Sequence, residues 1–510
     1  MRYLSLKGVT SLGADIVTVV ILALFTVASV AAFIVFLCKY SGGGDCGRKK
    51  SALAVILCIG FTVRLILALC IRGGRADYKV FTDMFDHLKN HGLAGYYNGD
   101  PSGVLYPVVY FVYLIFGGLS NVTGLSSFAL GAQFMVKLPI IAADLLIAFA
   151  VYKLGDRYFN AKIGLTLAAF VCVCPIFFIG SSVWTSPIVI TAMFICFACY
   201  FLARKNFAVT VLFSMLAAFS GKEGIYILPV IAVFSATHFV RAAKTLRARR
   251  AGGDSENKSV MSRETNALIT VPVSIVLSFV AVYALGLFMT ASYSANPFVY
   301  IYEFVIAPLV DWTRFTANGV SVYAIFGQNG AERSARFPAW VFVAVFTAII
   351  VAVTCIVYFS KRNRATLVML AAYALFTMQI YYPNSTAVGM EVALPVLLAA
   401  YALVRDKRLL TVLFVTGTAF VINSLSSLAV SGFLGNADDY LFNAASDYPS
   451  VTLLTGGLSA IPIVCSVLAV LSHLYFTVVA ISVGMTGVKK QLAPRNGFGA
   501  SLKEYFTGKN

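Results

Sequence analysis

Chemistry needs polar side chains, and this sequence has few: 12% of its 510 residues are charged. The densest group lies at 75–107, R-A-D-Y-K-V-F-T-D-M-F-D-H-L-K-N-H-G-L-A-G-Y-Y-N-G-D-P-S-G-V-L-Y-P, between two strongly apolar runs. It holds Asp77, Asp83, Asp86 and Asp100, four of 21 acidic residues, and His87 and His91, two of four histidines. Phe81, Met84, Phe85 and Leu88 recur at helical spacing and predict an amphipathic surface helix over 80–90. Asp77 then stands just before a helix N-terminus, where a carboxylate is favoured. It reads either as an N-cap or as a working group. Asp83 and Asp86 read as a solvated helix face. Gly92, Gly95, Tyr96, Tyr97, Tyr106 and Pro107 follow. Glycines allow tight turns, and tyrosines offer a flat ring with a hydroxyl. Such a surface suits sugar rings or lipid headgroups, and equally an interfacial aromatic belt.

Other charges stand at or inside apolar runs, where they are costly and are paired or functional. Lys222-Glu223 interrupts an apolar helical pair at Gly221. Lys222 suits a phosphate on a membrane-embedded substrate, or else snorkels. Glu391 opens an apolar run after Tyr381-Tyr382-Pro383-Asn384. Lys137 and Asp144 share a helix face and read as a structural ion pair. Arg64, inside the second apolar run, is either structural or turned toward a phosphate.

These groups need a scaffold, and composition says which kind. The chain is 60% hydrophobic and carries half the charge of a soluble domain, where about 25% of residues are charged. Apolar runs of spanning length lie at 16–38, 52–71, 134–151, 163–179, 187–202, 207–219, 225–239, 267–290, 340–359, 365–380, 392–404, 409–433 and 458–483. Only helices or closed barrels satisfy the backbone in a bilayer, and these runs are too long for barrel strands. The expected fold is an all-α polytopic membrane bundle of about 13 spans, with helices in its outer loops. Basic segments at 39–50, 153–162, 204–205, 241–263, 361–364, 405–408 and 489–509 fall on one side if 105–119 does not cross. The expected topology therefore has the N-terminus outside and the C-terminus in the cytoplasm. Segments 73–102, 180–186, 221–223, 291–338, 381–391 and 435–455 then share the outer face. The net charge of +18 reflects these loops and is no sign of nucleic acid. The ten cysteines mostly sit in apolar runs as small hydrophobes, so no disulfide framework and no zinc site are expected.

Taken in order, the motifs carry a resemblance. Asp77, Phe81, Gly92, Tyr96-Tyr97 and Tyr106-Pro107 resemble the first outer loop of the GT-C membrane glycosyltransferases, in particular their bacterial mannosyltransferase-like branch. Lys137-Leu138-Pro139 with Asp144 resembles that branch's K-x-P…D span. Ser182-Val183-Trp184 resembles its S-x-W, and Lys222 falls where it has K-P-Q. Thr316-Ala317-Asn318-Gly319 resembles an outer segment reading N-A-F-N-L-W. Met390-Glu391 with Leu394-Pro395 resembles H-E-R-Y-x-x-P, and Asn423 falls in a later span. The match covers roughly 52–430. Departures stand beside it: Thr185-Ser186-Pro187-Ile188 replaces G-Q-x-D, Lys222-Glu223-Gly224 replaces K-P-Q, and Met390-Glu391-Val392 replaces H-E-R. The second acidic position is gone, and Glu223 is the candidate to replace it.

The resemblance implies an inverting transfer of a mannose-like hexose from a polyprenyl-phosphate sugar lipid to a cell-envelope glycan, glycolipid or protein. The reaction would run on the outer face of a bacterial plasma membrane. It implies Asp77 as general base. Donor-phosphate and substrate contacts would come from Lys222, Arg64, Glu223, Glu391, Tyr97, Tyr106, Trp184 and Asn318. A divalent Mg or Mn ion is a candidate cofactor, and the missing second acidic position leaves its requirement open. The organisation that follows is an extra N-terminal span and loop (1–51), a GT-C-like module (52–290) with outer loop 73–103, a variable module (291–485) with outer loops 291–338 and 435–455, and a basic tail (486–510). The lost motifs leave open a non-catalytic assembly protein derived from a transferase. The intramembrane charges leave open a transporter or flippase, although no inverted repeat is visible.

Overall fold

The computed structural model describes residues 24–37, 39, 49–71, 73–91, 106–122, 130–204, 206–250, 258–289, 297–310, 312, 314–332, 338–361, 364–430, 453–454 and 456–486. These residues are mostly helical. In chain order the helices are α1 (Leu24–Leu37), α2 (Lys49–Cys70), α3 (Arg75–His91), α4 (Pro107–Val122), α5 (Leu130–Tyr158), α6 (Ala161–Val173) and α7 (Pro175–Phe178). After them come α8 (Ile188–Ala203), α9 (Phe207–Ala218), α10 (Lys222–Ile225), α11 (Leu228–Arg250), α12 (Lys258–Met289), α13 (Pro297–Ile301), α14 (Ala307–Val310) and α15 (Val322–Ile325). The last five are α16 (Ala339–Lys361), α17 (Arg364–Tyr381), α18 (Ala393–Val404), α19 (Arg408–Val430) and α20 (Ala460–Thr486). Two short strands, β1 (Thr316–Ala317) and β2 (Ser385–Thr386), pair in parallel.

Among the described residues six helices are long and apolar enough to cross a membrane, or seven if the bent pair α6–α7 counts as one span. Their outward faces are apolar too. Val464, Leu468, Leu471, Tyr475 and Val478 form an exposed stripe along α20, and Val55, Ile59 and Ile66 do so on α2. Such contiguous apolar surface is disfavoured in water and suits acyl chains. This is an integral membrane protein. Most of its described interior is one apolar cluster reaching from Phe33 to Val483, with a small satellite of Leu53, Tyr152 and Ala168. At the centre lies α18, all 12 of whose residues are buried. A helix apolar on every face belongs inside the bundle.

Local sequence explains the two irregularities that shape the site. Cys174 takes an extended conformation ahead of Pro175, which cannot donate a backbone N–H and disfavours a helical residue before it. The chain bends there by 64°. It then runs through a π-helical turn, Ile179–Trp184, and leaves it at Thr185 with φ of 72°. A β-branched residue in the left-handed region is costly and is held only where its surroundings insist.

The surface helix predicted over 80–90 is α3 and starts earlier, at Arg75. The Gly74 carbonyl accepts from the Tyr78 N–H at 2.9 Å and opens the helix there. Tyr78, Phe81, Met84 and Phe85 form its buried face, with Phe81 and Tyr113 of α4 at a centroid distance of 4.5 Å. Asp77 consequently lies within the first turn of the helix instead of ahead of it.

Candidate active site

Asp77 is held from outside its own helix. Trp184 Nε1–H donates to Asp77 Oδ2 at 2.7 Å, and the Gly74 N–H donates to the Trp184 carbonyl, also at 2.7 Å. The π-turn and the start of α3 are therefore stitched together on both sides of the indole. Gly74 permits this: a Cβ there would collide with the indole nitrogen. Asp77 and Trp184 are closely surrounded by protein yet keep accessible surface, as groups lining a crevice do. Burial pushes the Asp77 carboxyl up from 3.8 to about 6; the Trp184 N–H pulls it down, and the Glu223 charge pushes it up again.

Three further elements reach the same crevice. The turn at Gly221 starts α10 and puts Lys222 and Glu223 side by side, Glu223 buried and Lys222 half-buried. The Lys222 ammonium donates to the carbonyl of Asn384. Asn384, with φ of 66°, sits in the turn before β2, and its N–H is fixed by the Phe315 carbonyl at 2.8 Å. Asparagine tolerates this left-handed conformation, which aims the carbonyl at the lysine. The Tyr106 hydroxyl faces the backbone N–H of Lys222, and Tyr226 and Tyr382 pack beside it with rings 6.3 Å apart. The Gln379 amide lies beside the Glu223 carboxylate. The result is a crevice with two carboxylates, one ammonium, one indole and three phenols. It can take up a proton at Asp77, offer positive charge at Lys222, and present the accessible rings of Tyr106 and Trp184 to a polar ligand.

A second polar cluster lies beyond the π-turn and is closed. Arg64 and Asp144 form an ion pair at 2.7 Å, with side chains 0% and 1% exposed. The remaining Arg64 donors go to the carbonyls of Cys172 (2.6 Å), Val171 (3.0 Å) and Gly60 (3.2 Å). Ser181 Oγ donates to Asp144 Oδ2 at 2.7 Å. The expected Lys137–Asp144 pair is therefore corrected: Asp144 pairs with Arg64, and Lys137 donates to the carbonyls of Ile71 and of Ser182, the latter at 2.8 Å. Shared helix phase put Lys137 and Asp144 on one face, but α2 and the π-turn supply the nearer partners. The same bonds correct Arg64 as a phosphate contact, since it has no accessible surface and its guanidinium is engaged on every side. Glu391 is 1% exposed and packs on the backbone of Gly180, where any Cβ would collide with its carboxylate. The Glu391 carboxylate faces the Gly180 backbone N–H, and among the described residues Asp144 Oδ1 meets no hydrogen-bond partner. The acidic group that bears on Asp77 is Glu223, whereas the one that bears on Glu391 is Asp144.

Asn318 is a knot rather than a contact group. Its side chain donates to Ser427 Oγ at 2.7 Å and accepts from Asn329 Nδ2 at 2.9 Å and the Leu454 N–H at 3.0 Å. Its carbonyl accepts from Asn423 Nδ2 at 2.6 Å. It is fully buried, so the substrate contact expected of it is corrected to a structural role. Tyr97 lies outside the described residues. The structure thus brings together Asp77, Trp184, Tyr106, Lys222 and Glu223. It adds Tyr226, Gln379, Tyr382 and Asn384, which the sequence reading did not single out as site residues. Their signal was available: Gln379 is a polar residue inside an apolar run, and the other three lie beside turns at run ends. A further omission is His473, buried in α20, with Nε2 3.0 Å from Thr377 Oγ1 and its ring stacked 5.1 Å from that of Tyr373.

Among the described residues no three His, Cys, Asp or Glu side chains converge to hold a metal ion. Asp77 and Glu223 are the crevice's two carboxylates. Compared with known proteins, the chain matches no family model and no curated protein.

Proposed function

We propose that this chain is a membrane glycosyltransferase of the GT-C kind, moving a mannose-like hexose from a polyprenyl-phosphate donor to a cell-envelope acceptor at the outer face of a bacterial plasma membrane. The observation that carries the reading is the Asp77 carboxylate, held by Trp184 in an accessible crevice and shifted to about 6. A base poised near the working pH is the useful one. In the proposed step the acceptor oxygen forms a bond to the anomeric carbon, and its proton passes to Asp77. The bond from that carbon to the phosphate oxygen breaks, and its electron pair leaves with polyprenyl phosphate. The Lys222 ammonium stabilises the developing charge. Tyr106 and Trp184, which keep accessible surface, offer ring faces for the sugar.

The same reading has about 13 spans. Counting the six long helices, the bent pair once, and each shorter apolar helix except Pro107–Leu119 reaches this number. With Pro107–Leu119 lying along the membrane, the basic loops share one side and the crevice opens on the other.

A non-catalytic assembly role is the second reading. It is favoured by the occupied state of the two key groups, Trp184 on Asp77 and the Asn384 carbonyl on Lys222. Purified protein in liposomes carrying a labelled polyprenyl-phosphate hexose separates the two. The transferase reading expects label to move to an acceptor and transfer to vanish in Asp77→Ala. Transfer persisting in that variant would sink the assignment, and no transfer by the wild type to any acceptor class would favour the assembly role.

A further inference from the structure

An open apolar groove of about 640 Å³ lies between α1, α2 and α6, away from the crevice. Its floor is the stack of Phe33 on Phe170, with ring centroids 4.1 Å apart. One wall follows a single face of α6 from Lys162 through Thr166 and Ala169 to Val173. Eleven residue steps at 1.5 Å make this wall about 16 Å long. That is close to one leaflet, half of a hydrocarbon core about 30 Å thick. The groove is apolar along its length and has its one charged lining residue, Lys162, at an end.

That end is basic for reasons beyond one side chain. Lys162 is the second residue of α6, where the helix N-terminus carries partial positive charge. Lys49 and Lys50 open α2 at the same end, with Lys49 3.4 Å from Asp156 at the foot of α5. Exposed Arg157 follows Asp156. Among the described residues of this group Asp156 is the one acid, beside the cations Lys49, Lys50, Arg157 and Lys162.

We propose that this groove is a binding site for one anionic membrane phospholipid, with an acyl chain along α6 and the headgroup at Lys162. Length and charge point to the same occupant. An acyl chain fits a one-leaflet apolar slot, and a net-negative headgroup complements the basic end. A second groove of about 660 Å³ between α19 and α20, lined by Phe414, Val464 and Leu468 among others, has no charged lining residue. It lacks the basic end that would select and hold a headgroup, and it is not expected to retain a lipid through release. The proposal does not depend on the transferase reading.

Native mass spectrometry of the full chain, released from liposomes of phosphatidylglycerol and phosphatidylcholine, tests this. The wild type should retain one phospholipid with about fivefold preference for phosphatidylglycerol, the electrostatic value of about one lysine at a membrane surface. Lys162→Gln should lower the preference while leaving retention. Ala169→Phe should fill the slot and remove retention. Thr166→Trp, on the same wall, repeats the block should Ala169→Phe fail to fold. Equal retention of both lipids by the wild type would overturn the proposal, as would retention unchanged in the blocking variants. A wild-type dimer that Ala169→Phe converts to monomer would also overturn it, giving the groove to a second copy of the chain.

Discussion

The crevice at Asp77 and the cluster at Arg64 use the same chemistry to opposite ends. Each joins an acid to a base near the π-turn Ile179–Trp184. In the Arg64 cluster burial is complete, and the guanidinium spends its donors on Asp144 and three backbone carbonyls. A charge pair so enclosed locks helices together and has nothing left for a ligand. In the crevice, Asp77, Trp184, Tyr106 and Lys222 keep accessible surface, and Glu223 stands near Asp77 without being its hydrogen-bond partner. The comparison teaches that intramembrane charge alone does not mark function. What marks it is charge left partly unspent where a ligand can reach.

The largest effect expected from this contrast is on stability. Arg64→Ala or Asp144→Ala leaves one buried charge without its partner, which costs about 3–5 kcal/mol. Thermal unfolding in detergent should show a large fall in Tm for either variant. The double replacement Arg64→Leu with Asp144→Leu should recover much of it, because no lone charge remains. The next largest effect is on chemistry. Asp77→Asn keeps the shape of the side chain and its bond from Trp184 but cannot accept a proton, so transfer should fall by about 10²–10⁴-fold with Tm little changed.

The pH response separates the two regions more finely. Transfer should rise with pH through a midpoint near 6, where Asp77 loses its proton. The neighbours should move that midpoint in opposite directions. Glu223→Gln removes a like charge and should lower it. Trp184→Phe removes the N–H that favours the charged carboxylate and should raise it. A midpoint that ignored both substitutions would detach the titration from Asp77. Stability has the reverse sign. The native state holds the Asp77 proton more tightly than the unfolded chain, whose value is near 3.8. Stability should therefore fall as pH rises from about 4 to about 6, and Asp77→Asn should flatten that fall in a pH series of melts. This is the smallest effect and the most specific to one group.

The long apolar runs made the helical elements legible, since their length and lack of charge leave few other structures available to them. The surface helix was legible from Phe81, Met84, Phe85 and Leu88, but its start was not, because Gly74 and Trp184 set it from a distant part of the chain. Asp77, Trp184, Tyr106, Lys222 and Glu223 were legible as separate polar events on one side of the proposed topology. That they share a crevice was not, since the bend at Pro175 and the turn at Asn384 bring them together. Lys137 and Asp144 were misread as partners, and Arg64 was left open between a structural and a phosphate-facing role, because helix phase tells which residues of one helix share a face, not which neighbour that face meets. Asn318 was misread because four partners from Asn329, Asn423, Ser427 and Leu454 arrive from far along the chain.

The most direct test measures hexose transfer from a labelled polyprenyl-phosphate donor by liposome-reconstituted wild type and Asp77→Asn, with Tm read on the same preparations. The account predicts transfer by the wild type and its loss in the variant at an unchanged Tm. Equal transfer by both proteins would contradict it, and the working site would then have to be sought away from Asp77.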